Sequence, residues 1–236
     1  MNDETTRDIC DPNRWGLPAE AIADLGNRLQ NFWERFRGNF KTRTHNVAGH
    51  AWTYLRGLLL MKTKRNFANI DRRVIDPEGD GQNLQQFMSD SPWAAQPPIQ
   101  QVQQEIASTP GLAQGGVLLL DESPDEKAGW DEFQAQKYRA WEHHLALTIL
   151  ATWFIAQTKY DWARTHARDP QLAQQMELDV LPALSVANVR ELLQAVMPLP
   201  QFSQDQATRL VVKHLVKRSR STRSCLSAQR SQRGQI

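Results

Sequence analysis

Apolar residues recur at helical spacing through most of this chain. Behind Pro18, the residues Ile22, Leu25, Leu29, Phe32, Trp33 and Phe36 fall on one stripe, and proline is tolerated at a helix start because its missing amide would have no partner there. The pattern predicts an amphipathic helix of about five turns. A second helix is expected from Thr44 to Lys62, with Ala48, Trp52, Leu55, Leu59 and Leu60 inward and Gly57 as a weak point. A third, short one carries Phe67, Ile70 and Val74, ends before Pro77, and leads into the glycine-rich link Glu78-Gly-Asp-Gly81.

Past that link, Asn83 to Trp93 reads as a short helix closed by Ser-Pro, and another starts near Pro98 with Ile99, Val102 and Ile106. In outline the two resemble a helix-turn-helix, the geometry that lays a second helix in a groove of DNA. Helix pairs are more often plain packing units. Val117-Leu-Leu-Leu120 then breaks the pattern: a continuous apolar run with glycines before it and Pro124 after it fits a short strand buried on both faces. From Asp131 onward the chain reads as helix or loop again. One long helix passes through Tyr138, Trp141, Leu145, Ile149 and Phe154 towards Trp162. Another follows Ser185 as N-cap and stops at Pro198. The last follows Ser203 and carries Ala207, Leu210, Val211, His214 and Leu215. The expected fold class is therefore mostly α, with a single strand. A lone strand leaves its amides and carbonyls unpaired on both edges, whereas sheets usually have about five or six strands.

Composition sharpens this picture in two places. The net charge of +2 hides an asymmetry, since Asp205 is the last acidic residue and eight Lys or Arg follow it. Without those eight, residues 1–205 carry about −6. The basic tail, with Lys217, Arg218, Arg220 and Arg223, is a candidate DNA contact that would neutralise phosphates without reading sequence; a solvated terminus is the plain alternative. Cys10 and Cys225, near opposite ends in polar contexts, are expected to be free thiols. No apolar run reaches the roughly 18 residues that span a bilayer, and the acidic, polar start is unlike a signal peptide, so no membrane contact and a cytoplasmic location are expected.

Among chemistry-bearing residues, Asp121 stands where a strand end can fix a carboxylate beside a divalent ion. One carboxylate is not a site, because two-metal phosphoryl transfer needs carboxylates from several elements to hold ions about 3.5–4 Å apart. Glu122 would point to the opposite face, and Asp125 and Glu126 lie beyond Pro124. His143 and His144 are adjacent, about a hundred degrees apart on a helix, so they cannot share a metal and are expected to flank a packed face. His45 and His50 are no better placed. Trp33, Trp52, Trp141 and Trp153 lie on apolar helix faces, which favours core over base stacking.

Several segments resemble a known family. Val117-Leu-Leu-Leu-Asp121-Glu-Ser-Pro-Asp-Glu-Lys-Ala-Gly129 is similar to the stretch around the first catalytic aspartate of insertion-sequence DDE transposases, which have a ribonuclease H-like fold. Tyr54-Leu-Arg-Gly-Leu-Leu and Asn83-Leu-Gln-Gln-Phe-Met resemble their N-terminal region. Tyr138-Arg-Ala-Trp-Glu-His-His resembles the helical segment after their catalytic glutamate, and Leu181-Pro-Ala-Leu-Ser-Val-Ala-Asn-Val-Arg-Glu-Leu-Leu their C-terminal region. The resemblance implies a catalytic, metal-binding role for Asp121, Mg2+ as cofactor, and transposon-end DNA as partner. It also implies a chemistry for intact relatives, in which the metal activates water and then a DNA 3′ hydroxyl against phosphodiesters. Here Gly129 runs directly into Trp130-Asp-Glu-Phe, so the rest of the sheet, the second aspartate and the glutamate of a Tyr-x2-Arg-x3-Glu-x6-Lys pattern look deleted. Glu142 does not replace that glutamate: Trp141 stands where Arg is needed and Ile149 where Lys is. Asp131, Glu132 and Asp161 lack any matching context.

The expected organisation is thus an N-terminal helical, DNA-binding region at 1–112, a strand remnant at 113–129, C-terminal helices at 130–216 and a basic tail at 217–236. The expected function is that of a transposase-like protein of DNA transposition without strand cleavage of its own. Open alternatives are a DNA-binding inhibitor, alone, as a homo-oligomer or paired with an intact transposase, a non-functional remnant, and an unrelated helical regulator.

Overall fold

A computed structural model of the chain describes residues 9–42, 45–62, 64–112, 137–199 and 212. Among them the architecture is mostly α, as the periodicity predicts. The helices are α1 (Ala19–Ala23), α2 (Leu25–Phe36), α3 (Ala48–Leu60), α4 (Phe67–Val74), α5 (Gln82–Ser89), α6 (Gln96–Ser108), α7 (Tyr138–Thr165), α8 (Pro170–Gln175) and α9 (Val186–Val196). The only extended pairing among the described residues is one antiparallel bridge, Lys41 to Asn46. The expected strand at Val117–Leu120 and the expected helix after Ser203 lie outside the described residues, except for Val212.

Local chemistry accounts for most of the boundaries. Ser185 caps α9 in a reciprocal box with Asn188, Asn66 caps α4 by accepting from the Asn69 amide, and α6 opens with proline in its first turn. The five-turn helix expected after Pro18 is instead broken at Asp24 into α1 and α2. The second expected helix starts at Ala48 rather than Thr44, because the chain before it makes the tight Thr42–His45 turn. Helix α8 has no apolar stripe to announce it; Asp169, which accepts from the Gln171 amide, and Pro170 start it.

One core joins the N-terminal and C-terminal helices. Long helix α7 lies at its centre, packed on α3, α5, α6 and α9. Its inward face is built from Ala140, His143, His144, Leu147, Leu150, Ala151 and Phe154, where the alanines permit close approach. Trp33, Trp93, Trp153 and Trp162 are buried, in line with the core reading, and rings run in contact from Trp52 through Trp33 and Phe40 to Trp93 and Phe87. Trp141 departs from that reading: Tyr138, Trp141 and Leu145 follow each other on the outer side of α7 and are exposed. The polar-looking imidazoles, not these larger side chains, take the inner face.

Gly57 marks a close crossing. A Cβ there would stand 2.7 Å from Cγ2 of the fully buried Ile70, so α4 crosses α3 where only hydrogen fits. Helix propensity alone favours alanine over glycine by about 1 kcal/mol, whereas overpacking a filled core costs about 1–3 kcal/mol. Gly57→Ala is therefore expected to lower the urea midpoint, and Gly57→Ala with Ile70→Val to recover part of the loss. A raised midpoint in the single variant would mean that helix propensity, not the crossing, governs this position.

Candidate functional site

The densest group of buried titratable side chains among the described residues lies where α7 meets α3 and α5. His143 reaches one way: its Nδ1 is 2.8 Å from the Met88 carbonyl and its Nε2 2.9 Å from the Trp93 carbonyl, with the indole of Trp93 stacked on the imidazole at 3.9 Å. Met88 is in the last turn of α5, where carbonyls lack helical partners and the helix dipole favours a positive group. Burial pulls the His143 pKa below its ordinary value, while the two carbonyls oppose the shift. A neutral ring has one N–H to donate, so protonation would complete the second bond of this clamp.

His144 reaches the other way. Its Nδ1 lies 2.9 Å from the hydroxyl of Tyr54 on α3. Burial raises the Tyr54 pKa well above the ordinary phenol value, so the hydroxyl keeps its proton and donates. Burial and, secondarily, the charge of the buried Arg65 push His144 down to about 4. A neutral imidazole accepting at Nδ1 and a protonated phenol are mutually consistent states.

Nothing in this group is arranged for nucleophilic or metal chemistry. The imidazoles diverge as their adjacency predicts, and both serve as structural bonds between elements. Among the described residues, no three His, Cys, Asp or Glu side chains come close enough to hold a metal ion. The donors among the described residues do not form a set that fits a divalent ion. Of the described acidic residues after Asp121, Asp161 pairs with Arg28 and Asp169 pairs with Arg14 at 2.7 Å, while Glu142 is on the exposed side of α7. Asp121 itself lies outside the described residues. So do Asp131 and Glu132, and so do Lys217, Arg218, Arg220 and Arg223. Cys10 is a free, exposed thiol.

Two features escaped the sequence reading. Arg190 of α9 donates from Nε to the Leu59 carbonyl at 3.2 Å and from its guanidinium to the Met61 carbonyl, closing the C-terminal end of α3. A lone arginine inside an apolar helix stripe is the signal that could have flagged it. The cations Lys62, Lys64 and Arg73 border one cleft; the run Lys62-Thr-Lys-Arg65 at the end of an apolar helix is visible in the sequence, its partner Arg73 only in the fold.

Residues 35–146 match the family model described as DDE superfamily endonuclease, which covers just under half of the chain. Over that stretch the chain is similar to DDE transposases. Endonucleases of this superfamily generally use divalent metals and act on DNA. No curated protein and no solved structure matches the chain. Among the described residues, no helix is long and apolar enough to cross a membrane.

The depressed His144 pKa has a directional consequence. In the unfolded chain an imidazole titrates near 6.5, whereas in the fold His144 takes up its proton only near pH 4. The unfolded state thus binds more protons between these values, and stability falls as pH drops from about 6.5 towards 4, by at most about 1.4 kcal/mol per pH unit for one group. Denaturant unfolding across that window should show the decline. The His144 ring resonance in proton–carbon spectra should keep its neutral-form shift until well below pH 6. A midpoint near 6.5 would place the ring outside the core.

Proposed function

We propose that this chain is a transposase-like protein that occupies DNA without cutting it. The observation that carries the reading is the small room left after Asp121. Only 16 residues stand between it and Tyr138, where α7 begins and fills the centre of a helical core. A second aspartate, a glutamate and about four more strands of roughly five or six residues each need more chain than that. With Asp121 as the single matching carboxylate, the charge that would hold two ions in line for phosphodiester attack is absent, so strand cleavage and transfer are lost. The organisation consistent with this is a helical DNA-binding portion at 1–112, a strand remnant at 113–129, C-terminal helices at 130–216 and a basic tail at 217–236. On this reading the protein acts by holding insertion-sequence ends against an intact transposase, as an inhibitor.

A packed core supports this reading over that of an unfolded remnant: α2 to α7 and α9 bury aromatic and aliphatic side chains from both halves of the chain together.

The test is nicking and joining of a supercoiled plasmid that carries the element's ends, with magnesium or manganese, comparing wild type with Asp121→Ala. Both proteins are expected to leave the plasmid uncut and to retard end-bearing DNA in a gel, more weakly as salt rises. Metal-dependent nicking by the wild type that disappears in Asp121→Ala would reveal a complete carboxylate set and overturn the proposal.

A further inference from the structure

Between α8 and α9 the chain runs from Met176 to Ser185 without regular structure. Its first half carries three exposed apolar side chains within five residues, Met176, Leu178 and Val180, and Val180 is 81% exposed. Single apolar residues on a surface need no explanation, whereas a group of them marks an interaction site. The backbone that presents them is anchored at both ends. Helix α8 closes with the Leu178 amide donating to the Ala173 carbonyl at 2.9 Å and the Glu177 amide to the Gln174 carbonyl at 3.1 Å. That cap requires a left-handed residue, usually glycine; here it is Glu177, with a φ of 53°. At the far end Arg168 donates to the Pro182 carbonyl at 2.7 Å.

Directly beyond this segment, Pro182, Ala183 and Leu184 form one wall of a pocket of about 400 Å³. Trp15, Leu17 and Leu192 complete its apolar lining, and Arg168, Asn188 and Glu191 are its polar members. The walls are fixed. The Asp169 amide donates to the Arg14 carbonyl at 2.9 Å, and a Cβ at Gly16 would stand 2.6 Å from the His166 carbonyl oxygen, so the Trp15 side lies hard against the connection from α7 to α8. Asn188 is held by its reciprocal box with Ser185. Val180 does not fill the pocket of its own chain, because Pro182, only two residues on, is already part of the wall.

We infer that the segment and the pocket are the two halves of an interface between two copies of this chain, in which Leu178 and Val180 of each copy enter the pocket of the other. A projection beside its own receptor is self-complementary, and a two-fold axis between them closes the contact at two copies. Charge selects this occupant. Glu177 and Asp179 flank Leu178, so the projection is acidic, and the pocket offers the guanidinium of Arg168. Among the described residues, neither Asp179 nor Arg168 is in an ion pair. Exchange between copies brings the two together, while Glu191, exposed on α9, keeps its hydration. The inference stands independently of the proposed DNA binding.

The experiment measures the mass of the full chain by sedimentation velocity, without DNA, from low micromolar concentration upward. It compares wild type with Val180→Asp, Arg168→Asp, Asp179→Arg and the double variant Arg168→Asp/Asp179→Arg. A helical circular dichroism spectrum equal to that of the wild type verifies that each variant is folded. The expected result is a wild-type dimer whose dissociation constant rises about tenfold or more in Val180→Asp and in either single charge reversal. The double variant is expected to regain much of the loss, because reversing both charges re-forms the pair across the interface. A wild type that is monomeric throughout, a dimer indifferent to Val180→Asp, or a double variant as weak as the single reversals would each overturn the inference.

Discussion

Two adjacent imidazoles hold this fold together. Consecutive residues on a helix point about a hundred degrees apart, so His143 and His144 turn one position on α7 into bonds to two separate parts of the chain. The first takes the carbonyls of Met88 and Trp93 and thereby fixes the end of α5 and the turn after it. The second takes the Tyr54 hydroxyl on α3. Buried polar groups are costly unless partnered, and here the partnering selects which face of α7 goes inward. Tyr138, Trp141 and Leu145 are left outside as a result.

The same device recurs at the other end of the core. Arg190 closes the last carbonyls of α3 as His143 closes those of α5. Glu105 on α6 receives both Arg35 of α2 and the indole N–H of Trp153 on α7. Each link spans dozens of residues in sequence and joins a helix terminus or a polar edge to a neighbour. Polar side chains therefore set the arrangement of the helices, and the apolar contacts fill it.

Helix existence and the mostly α class were legible from periodicity, and Ser185 announced the cap of α9, whereas Gly57 read as a weak point and is a close crossing with Ile70. The break at Asp24 was not legible, since the apolar stripe runs through it. Trp141 was misplaced because periodicity ranks side chains by hydrophobicity and cannot see that two histidines with waiting carbonyls outcompete a tryptophan for the interior. The divergence of His143 and His144 was readable from adjacency alone; their partners were not, because Tyr54 and Trp93 are brought to them only by tertiary packing. The cleft cations show the same limit: a run of lysines is visible in sequence, the arginine that completes it is not. Asp121 and the four tail cations fall outside the described residues, so their roles rest on the sequence reading.

The long reach of these bonds bears on synthesis. Tyr54 and His144 are 90 residues apart, and Arg28 and Thr158 are 130 apart. At about 5–20 residues per second, the helices that precede α7 wait several seconds to tens of seconds on the ribosome before the helix that covers them is made. During that interval Phe32 lacks the ring of Phe154 and the Met88 carbonyl lacks the imidazole of His143. The pace of synthesis through α7, as well as final stability, then bears on how much of this protein reaches its folded form.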